Sequence, residues 1–509
     1  MGRQTRVPCR TTSVFVLCWA LTGPLAVNPG AAEGAVRATG LSERAAACGV
    51  KSDSPAAAGR SSSPDVIMVI VDDLNDGIQI LNPQGPVRTP HLCRLARRGV
   101  LFRRAYCVSP ACNPSRVATL TGLRPARSGV YGNASDWRRA LPDRLTITQQ
   151  FRKAGYYVAG AGKVFHHHLN GAFHDSDSFD HFTPMKPQQY PATKLNRAPE
   201  YGSRNTDWGQ WPPGDAQTID HQTVTRCIEV LQDHDDDQPL FLTCGLFRPH
   251  SPFFAPPQWH RRVEVLPQRL ADDRADLPAG AHRLMKRKDW FWRGMQAVEQ
   301  RQPGAWRDFV SSYVACAEFA DAQLGRLLDA VDRSDRYRNA VIVLWSDHGF
   351  HLGEKDHIEK FALWEKTTHI PFVIVAPGVA RVNAVCDRPL DLSVLYPTLL
   401  ELAGLPPDKS ADGRSVVPLL RDPSQSWEEP AVMTYQRGNH AVRSERWRYI
   451  RYQDGTEELY DHTIDPQEWH NLAQPQDGKV RDEYRQVMDE HRRWLPGSEA
   501  PPVPDLKKG

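Results

Sequence analysis

The 509-residue chain has little charge of either sign in excess: 63 Lys and Arg stand against 60 Asp and Glu, a formal charge of +3. That balance excludes nucleic-acid binding by bulk electrostatics, so any anion must be captured by a few local groups. Cysteine is sparse, at ten residues, and lacks both the density of a disulfide scaffold and the paired C-x-x-C spacing of a structural zinc site. No uninterrupted apolar run reaches the roughly 20 residues that a membrane-spanning helix needs. The best candidate, residues 13–27 (SVFVLCWALTGPLAV), is broken by Gly23 and Pro24. Solenoid and propeller periods are also missing. What is present is ordinary for a globular protein: 40% hydrophobic and 24% charged residues, enough for a large core and against wholesale disorder.

The apolar run at 13–27 follows Arg3, Arg6 and Arg10 and precedes small residues around Ala31 and Ala32, the pattern of a secretory signal peptide. The expected organisation is a signal peptide at 1–28 and a flexible linker at 29–64, rich in Ala, Gly and Ser. A large subdomain follows at 65–404, then a C-terminal subdomain at 405–509 with a small antiparallel sheet and a terminal helix. The product would be exported, periplasmic or secreted, without a stable membrane span. Cys9 and Cys18 would leave with the signal and Cys48 lies in the linker, so seven cysteines belong to the folded part, with pairing not readable from their spacing.

Residues 65–71 (DVIMVIV) form an apolar run without polar alternation, as in a parallel strand covered on both faces, and end in Asp72 and Asp73. Residues 340–345 (AVIVLW) repeat the pattern and end in Asp347 and His348. Two further strand candidates, 156–159 and 240–246, deliver Gly162-Lys163 with His166, and Arg248-Pro249-His250. Val310, Tyr313, Ala317, Ala320, Leu324, Leu327 and Val331 recur at spacings of three and four, the stripe of a core-facing helix. Alternating strands and helices predict an α/β domain whose site collects at the carboxyl ends of the strands.

The segment Cys112-Asn113-Pro114-Ser115-Arg116, continuing to Thr121-Gly122 and Pro125, resembles the maturation signature of the type I sulfatase family. The resemblance runs from about residue 65 to 472 and includes W-R-Y-I-R-Y and E-L-Y-D-x-x-x-D-P-x-E-x-x-N-L elements near the C-terminus. It implies an alkaline-phosphatase-like fold, a large mixed and mostly parallel sheet flanked by helices. It also implies that Cys112 is oxidised to Cα-formylglycine by a formylglycine-generating or equivalent enzyme reading Cys112, Pro114, Ser115 and Arg116. The hydrated aldehyde would then attack sulfur and pass through a sulfo-enzyme intermediate.

By the same resemblance, Asp72, Asp73, Asp347 and His348 hold one divalent cation, calcium first, with magnesium or manganese as alternatives. Three carboxylates suit a hard cation, whereas a histidine is an unusual calcium ligand. His348 replaces the more common asparagine, and an Asp-His pair here points to the iduronate-2-sulfatase branch. Lys163 and His166 match the G-K-x-x-H segment, His250 the histidine beside the leaving oxygen, and Lys360 the lysine on a sulfate oxygen. Arg116, Lys163 and Lys360 would surround one anion. Arg248, in place of lysine, and Trp137 are possible substrate contacts, Trp137 alternatively a packing residue. His167 and His168 fall off the family spacing, and the run from His234 to Asp237 is expected to be a solvated turn.

The substrate implied is a sulfated sugar or polysaccharide. Two alternatives stand beside sulfate-ester hydrolysis: a phosphonate or phosphate monoester hydrolase of the same superfamily, and a non-catalytic glycan-binding homologue.

Overall fold

The computed structural model describes residues 63–505, apart from 167, 170–171, 174, 235–236, 271–272 and 476–479. The expected signal peptide, nearly all of the linker, Cys9, Cys18, Cys48, His167, Asp235 and Asp236 lie outside the described residues. The strand Val66–Asp72 is buried at every position. Its lack of alternation has a direct cause: Ile67, Val69 and Val71 enter one core, while Val66, Met68 and Ile70 enter another on the opposite face. The helices Ile219–Asp233 and Ala305–Arg333 cover the first face; Cys112–Thr121, Leu395–Leu402 and Val417–Arg421 cover the second.

Eight strands form the central sheet, in the order Ala384–Cys386, Val100–Phe102, Phe372–Val375, Val341–Ser346, Val66–Asp72, Leu240–Pro249, Tyr157–Gly162 and His181–Pro184. Phe372–Val375 runs antiparallel to both neighbours and the other pairs are parallel, so the sheet is mixed and mostly parallel as expected. Val66–Asp72 lies between Val341–Ser346 and Leu240–Pro249, which brings their acidic, histidine-bearing ends to one edge. The register with Leu240–Pro249 shifts between Val71 and Asp72, an irregularity that re-aims the side chains at the edge.

Two glycines permit this crowding. At Gly162 φ is +82°, and a Cβ would stand 2.1 Å from the Gly245 carbonyl oxygen; at Gly245 a Cβ would meet the Lys163 carbonyl at 2.2 Å. Lys163 is therefore presented by two backbones that approach too closely for any side chain.

Towards the C-terminus an antiparallel sheet runs Ala431–Thr434, His440–Arg443, Trp447–Arg451 and Glu457–Asp461. Trp447–Arg451 and Glu457–Asp461 contain the W-R-Y-I-R and E-L-Y-D stretches of the sequence. One face of this sheet, with Met433, Ala441, Ile450 and Tyr460, packs with Ala111 and Trp364 and so supports the residue preceding Cys112. The other face is covered by Met488 of the terminal helix Asp482–Arg492. The seven cysteines of the described residues are free thiols. Among those residues no helix is long and apolar enough to cross a membrane.

Candidate active site

Cys112 is the first residue of the helix Cys112–Thr121, with Ala111 as an extended N-cap. The helix dipole places a partial positive charge at this position, while the Asn113 N–H donates to Asn133 Oδ1 at 3.0 Å and the Ser115 N–H to the Ala111 carbonyl at 3.0 Å. Gly122 terminates the helix at φ +70°, where a Cβ would press the Tyr396 ring at 3.1 Å, which explains the glycine of the Thr121-Gly122 pair.

Cations converge on the Cys112 thiol. Lys360 Nζ and His348 Nε2 each lie 3.2 Å from Sγ, and Lys163 Nζ lies 3.8 Å away. His166 also contacts the thiol. Burial alone would raise the Cys112 pKa; Lys163 and Lys360, followed by His348 and His166, outweigh it and hold the thiol well below its ordinary value. Burial pushes His166 down to about 4, so that its ring is neutral near pH 7.

The carboxylates lie beneath this cluster. Lys163 Nζ pairs with Asp72 Oδ2, and Lys360 Nζ reaches Asp73 Oδ1 at 2.8 Å. Asp347 Oδ1 accepts the Asp73 backbone N–H at 3.2 Å, while its Oδ2 lies 2.7 Å from Arg116 Nε. His348 directs Nδ1 to Asp73 Oδ1 at 3.2 Å, and its Nε2 lies 3.7 Å from Asp347 Oδ2. Burial raises the Asp347 pKa to about 6. Asp73 sits at φ +63°, a left-handed conformation uncommon outside glycine.

The donor chemistry fits a divalent cation. Three buried carboxylates and an imidazole meet at one edge, and Asp73 Oδ2 is buried without a hydrogen-bond partner. A buried carboxylate oxygen in that state is a site of unmet electrostatic demand. A second cluster, Glu365, His462 and Glu468, is already held by Arg448, whose Nε lies 2.5 Å from Glu468 Oε1 and whose other arm pairs with Glu365.

Several sequence expectations take a definite position. Arg116 is fully buried and faces Asp347, Asp72 at 3.6 Å, and the carbonyls of Lys163 and Val164. It is held among these groups, in contrast to the lysines that contact Cys112. Both possible substrate contacts are enclosed, Trp137 in the packing role that was its alternative and Arg248 as a correction. Trp137 is 0% exposed and stacks on Phe165 at 5.3 Å, so it supports the segment before His166 and lines no open wall. Arg248 is also buried: its guanidinium donates to the carbonyls of Phe254 at 2.8 Å and His250 at 3.0 Å and to Gln188 Oε1 at 3.0 Å. It clasps the turn that carries His250, because all three of its nitrogens donate to nearby acceptors. His250 itself is half-buried, with Nδ1 2.6 Å from the Ser251 carbonyl and Nε2 3.9 Å from Asp73 Oδ2.

Other supporting residues carry no motif. Tyr313 donates its hydroxyl to the Asp73 carbonyl at 2.8 Å and accepts the Asn75 N–H at 3.0 Å. Asp220 accepts the N–H groups of Phe247 and Arg248 at 2.7 and 2.8 Å. Tyr313 lies on the recognisable helical stripe, but its polar contact depends on a partner 240 residues away. Lys360 stands between Glu359 and Phe361, both at positive φ, and the Phe361 N–H donates to the Pro110 carbonyl at 3.1 Å, two residues before Cys112.

A mixed sheet whose strand ends surround a cysteine at the first position of a helix with lysines and carboxylates defines a hydrolase of the alkaline-phosphatase-like fold. The chain belongs to the sulfatase family: the family's profile matches residues 64–405, and that of the N-sulphoglucosamine sulphohydrolase C-terminal region matches 353–493. It is thus a sulfuric ester hydrolase. A sulfatase of Formosa agariphila is 36% identical over 431 residues, covering 81% of this chain and 83% of that one. Human iduronate 2-sulfatase is 30% identical over 337 residues, covering 62% and 60%. Among solved structures, one in complex with its substrate D-glucosamine-2-N,6-O-disulfate superposes with TM-score 0.66 at 20% identity, covering 85% of this chain and 98% of that one. A phosphonate monoester hydrolase from Silicibacter pomeroyi gives 0.68 at 21%, covering 85% and 96%.

Proposed function

We propose that the enzyme hydrolyses sulfate monoesters on a sugar or sulfated polysaccharide, in the manner of the iduronate-2-sulfatase branch, with residue 112 acting as formylglycine. The observation that carries this reading is the contact of Cys112, the first residue of its helix, with Lys360, His348 and Lys163. As a hydrated aldehyde, residue 112 would supply one hydroxyl to attack sulfur and a second whose deprotonation later expels sulfate. Lys163 and Lys360 would bind non-bridging sulfate oxygens, stabilising charge where it develops in the transition state. His166, neutral near pH 7, would hold or accept a proton of the hydroxyl pair. His250, half-buried and restrained through Nδ1, would present Nε2 to the leaving oxygen.

Asp72, Asp73, Asp347 and His348 would hold the divalent cation, calcium first and magnesium or manganese next. The cation would supply positive charge to the sulfate and to residue 112. Arg116 would keep Asp72 and Asp347 oriented. We also propose cleavage of a signal peptide near residue 28, export, and oxidation of Cys112 by a formylglycine-generating enzyme.

Sugar specificity is supported by the substrate of the glucosamine-disulfate complex and by the name of the human relative. Ion-chromatographic sulfate release from defined sulfated oligosaccharides tests it, with release expected from at least one. The likeness to the phosphonate monoester hydrolase favours one second reading. A higher kcat/KM on aryl phosphonate than on aryl sulfate esters would establish that reading in place of ours.

A further inference from the structure

A cavity of about 770 Å³ is lined by none of the residues placed in the catalytic site. That volume lies within the range of small-molecule sites. One wall is the strand Trp208–Gln210, which pairs in parallel with Phe253–Ala255, three residues beyond His250. The opposite wall is the first turns of the helix Ala305–Arg333, including Ser311 and Ser312.

Its lining is rich in donors. Asn196 is 6% exposed; its Oδ1 accepts the Ala198 N–H at 3.0 Å, and its Nδ2 is buried without a partner. The segment around it is pinned, because Asp207 accepts the N–H groups of Leu195 and Asn196 at 2.8 and 2.9 Å. Arg261 spends one terminal nitrogen on Glu318 at 2.6 Å, yet its Nε is likewise buried without a partner. Arg197 and Arg262 extend the rim and are exposed. Two buried N–H donors without acceptors, beside two exposed guanidinium groups and one carboxylate, Asp308, create a demand for acceptor oxygens.

We propose that this cleft binds a sulfated saccharide unit of the polymer remote from the ester being cleaved, so that the enzyme holds its chain at two places. The sulfated-sugar identity rests on the function proposed above; the demand for an oxygen-rich anion rests on Asn196, Arg261, Arg197 and Arg262 themselves. Anchoring at a second place raises the effective concentration of the ester at residue 112 without a change at the reacting centre.

The test is calorimetric titration of the enzyme with a heparin-derived tetrasaccharide, the same tetrasaccharide chemically desulfated, and inorganic sulfate. It is repeated on Asn196→Asp and on Arg197→Ala/Arg262→Ala. Asn196→Asp keeps the acceptor for Ala198 and replaces the unpartnered donor with a carboxylate oxygen that repels an anion in the cleft. Both variants should bind the sulfated tetrasaccharide at least tenfold more weakly while retaining kcat/KM on an aryl sulfate within twofold. Wild-type binding no tighter than to the desulfated sugar, or binding by both variants within twofold of wild type, would overturn the proposal. If tetrasaccharide binding behaves as expected but no protein turns over aryl sulfate, the cleft stands and the catalytic reading fails.

Discussion

Replacing Arg116 with lysine separates a structural guanidinium from a simple positive charge. Arg116 is fully buried and uses its fork on four acceptors: Asp347 through Nε at 2.7 Å, the carbonyls of Lys163 and Val164, and Asp72 at 3.6 Å. A lysine ammonium retains the charge but cannot span these directions. If it stays with Asp347, two buried carbonyls lose their donor. At about 1 to 3 kcal/mol for each unsatisfied group, partly relieved by relaxation, Arg116→Lys should cost about 3 kcal/mol. For a unit of about 440 residues, an unfolding entropy of roughly 2 cal/mol/K per residue turns this into a Tm lower by about 3 °C. The measurement is scanning calorimetry in a Cys112→Ser background, so that any effect of Arg116 on maturation is removed. A Tm within 1 °C of the parent would refute the assignment of Arg116 as the residue that orders the carboxylates.

Four further outcomes follow from the same geometry. Lys360→Met should lower kcat on aryl sulfate by about 10²- to 10³-fold with the Tm nearly kept, as for loss of one transition-state donor; steady-state kinetics paired with calorimetry checks it. Gly122→Ala should destabilise by about 1 to 2 kcal/mol, because φ +70° and the Tyr396 ring both oppose a Cβ, which denaturant titration would read. His357 is held down to about 4 by burial, with Nε2 2.9 Å from the Lys360 carbonyl. The unfolded state therefore takes up a proton first as pH falls below about 6.5, and this histidine's contribution is lost progressively towards pH 4, about 3 kcal/mol in all. His357→Gln should flatten the Tm-against-pH curve over that window. Chelation followed by dialysis should lower the Tm, and calcium at about a hundredfold over its Kd should restore close to 3 kcal/mol, seen as a calcium-dependent Tm.

The parts of the fold legible in sequence were those where one physical signal dominates. Residues 66–72 show no alternation because both faces are buried, whereas their pairing with residues 341–346 was not legible, since parallel neighbours so far apart in the chain share no local signal. Cys112 was legible because Cys112-Asn113-Pro114-Ser115-Arg116 with Thr121-Gly122 and Pro125 resembles the sulfatase maturation signature, although the helix that it begins was not read from sequence. His440–Arg443 was not, since its four residues, HAVR, gain strand character only between two partners. Burial also separated residues that look alike in sequence. Trp137 and Arg248 resemble pocket residues but are enclosed, one by Phe165 and the other by nearby carbonyls. The cleft around Asn196 and Arg261 was invisible because its walls come from residues 195–197, 208–210, 260–262 and 302–312, which share no spacing rule.

The proposed hydrolysis requires residue 112 to act as an aldehyde hydrate. Its most direct test is the mass of the tryptic peptide covering residues 105–116, from protein made in its native host, measured with and without an aldehyde-reactive hydrazide. The expected peptide is lighter than the cysteine form by the difference between thiol and aldehyde and gains the hydrazide adduct. A peptide wholly in the unmodified thiol form from enzyme that still releases sulfate would contradict that requirement.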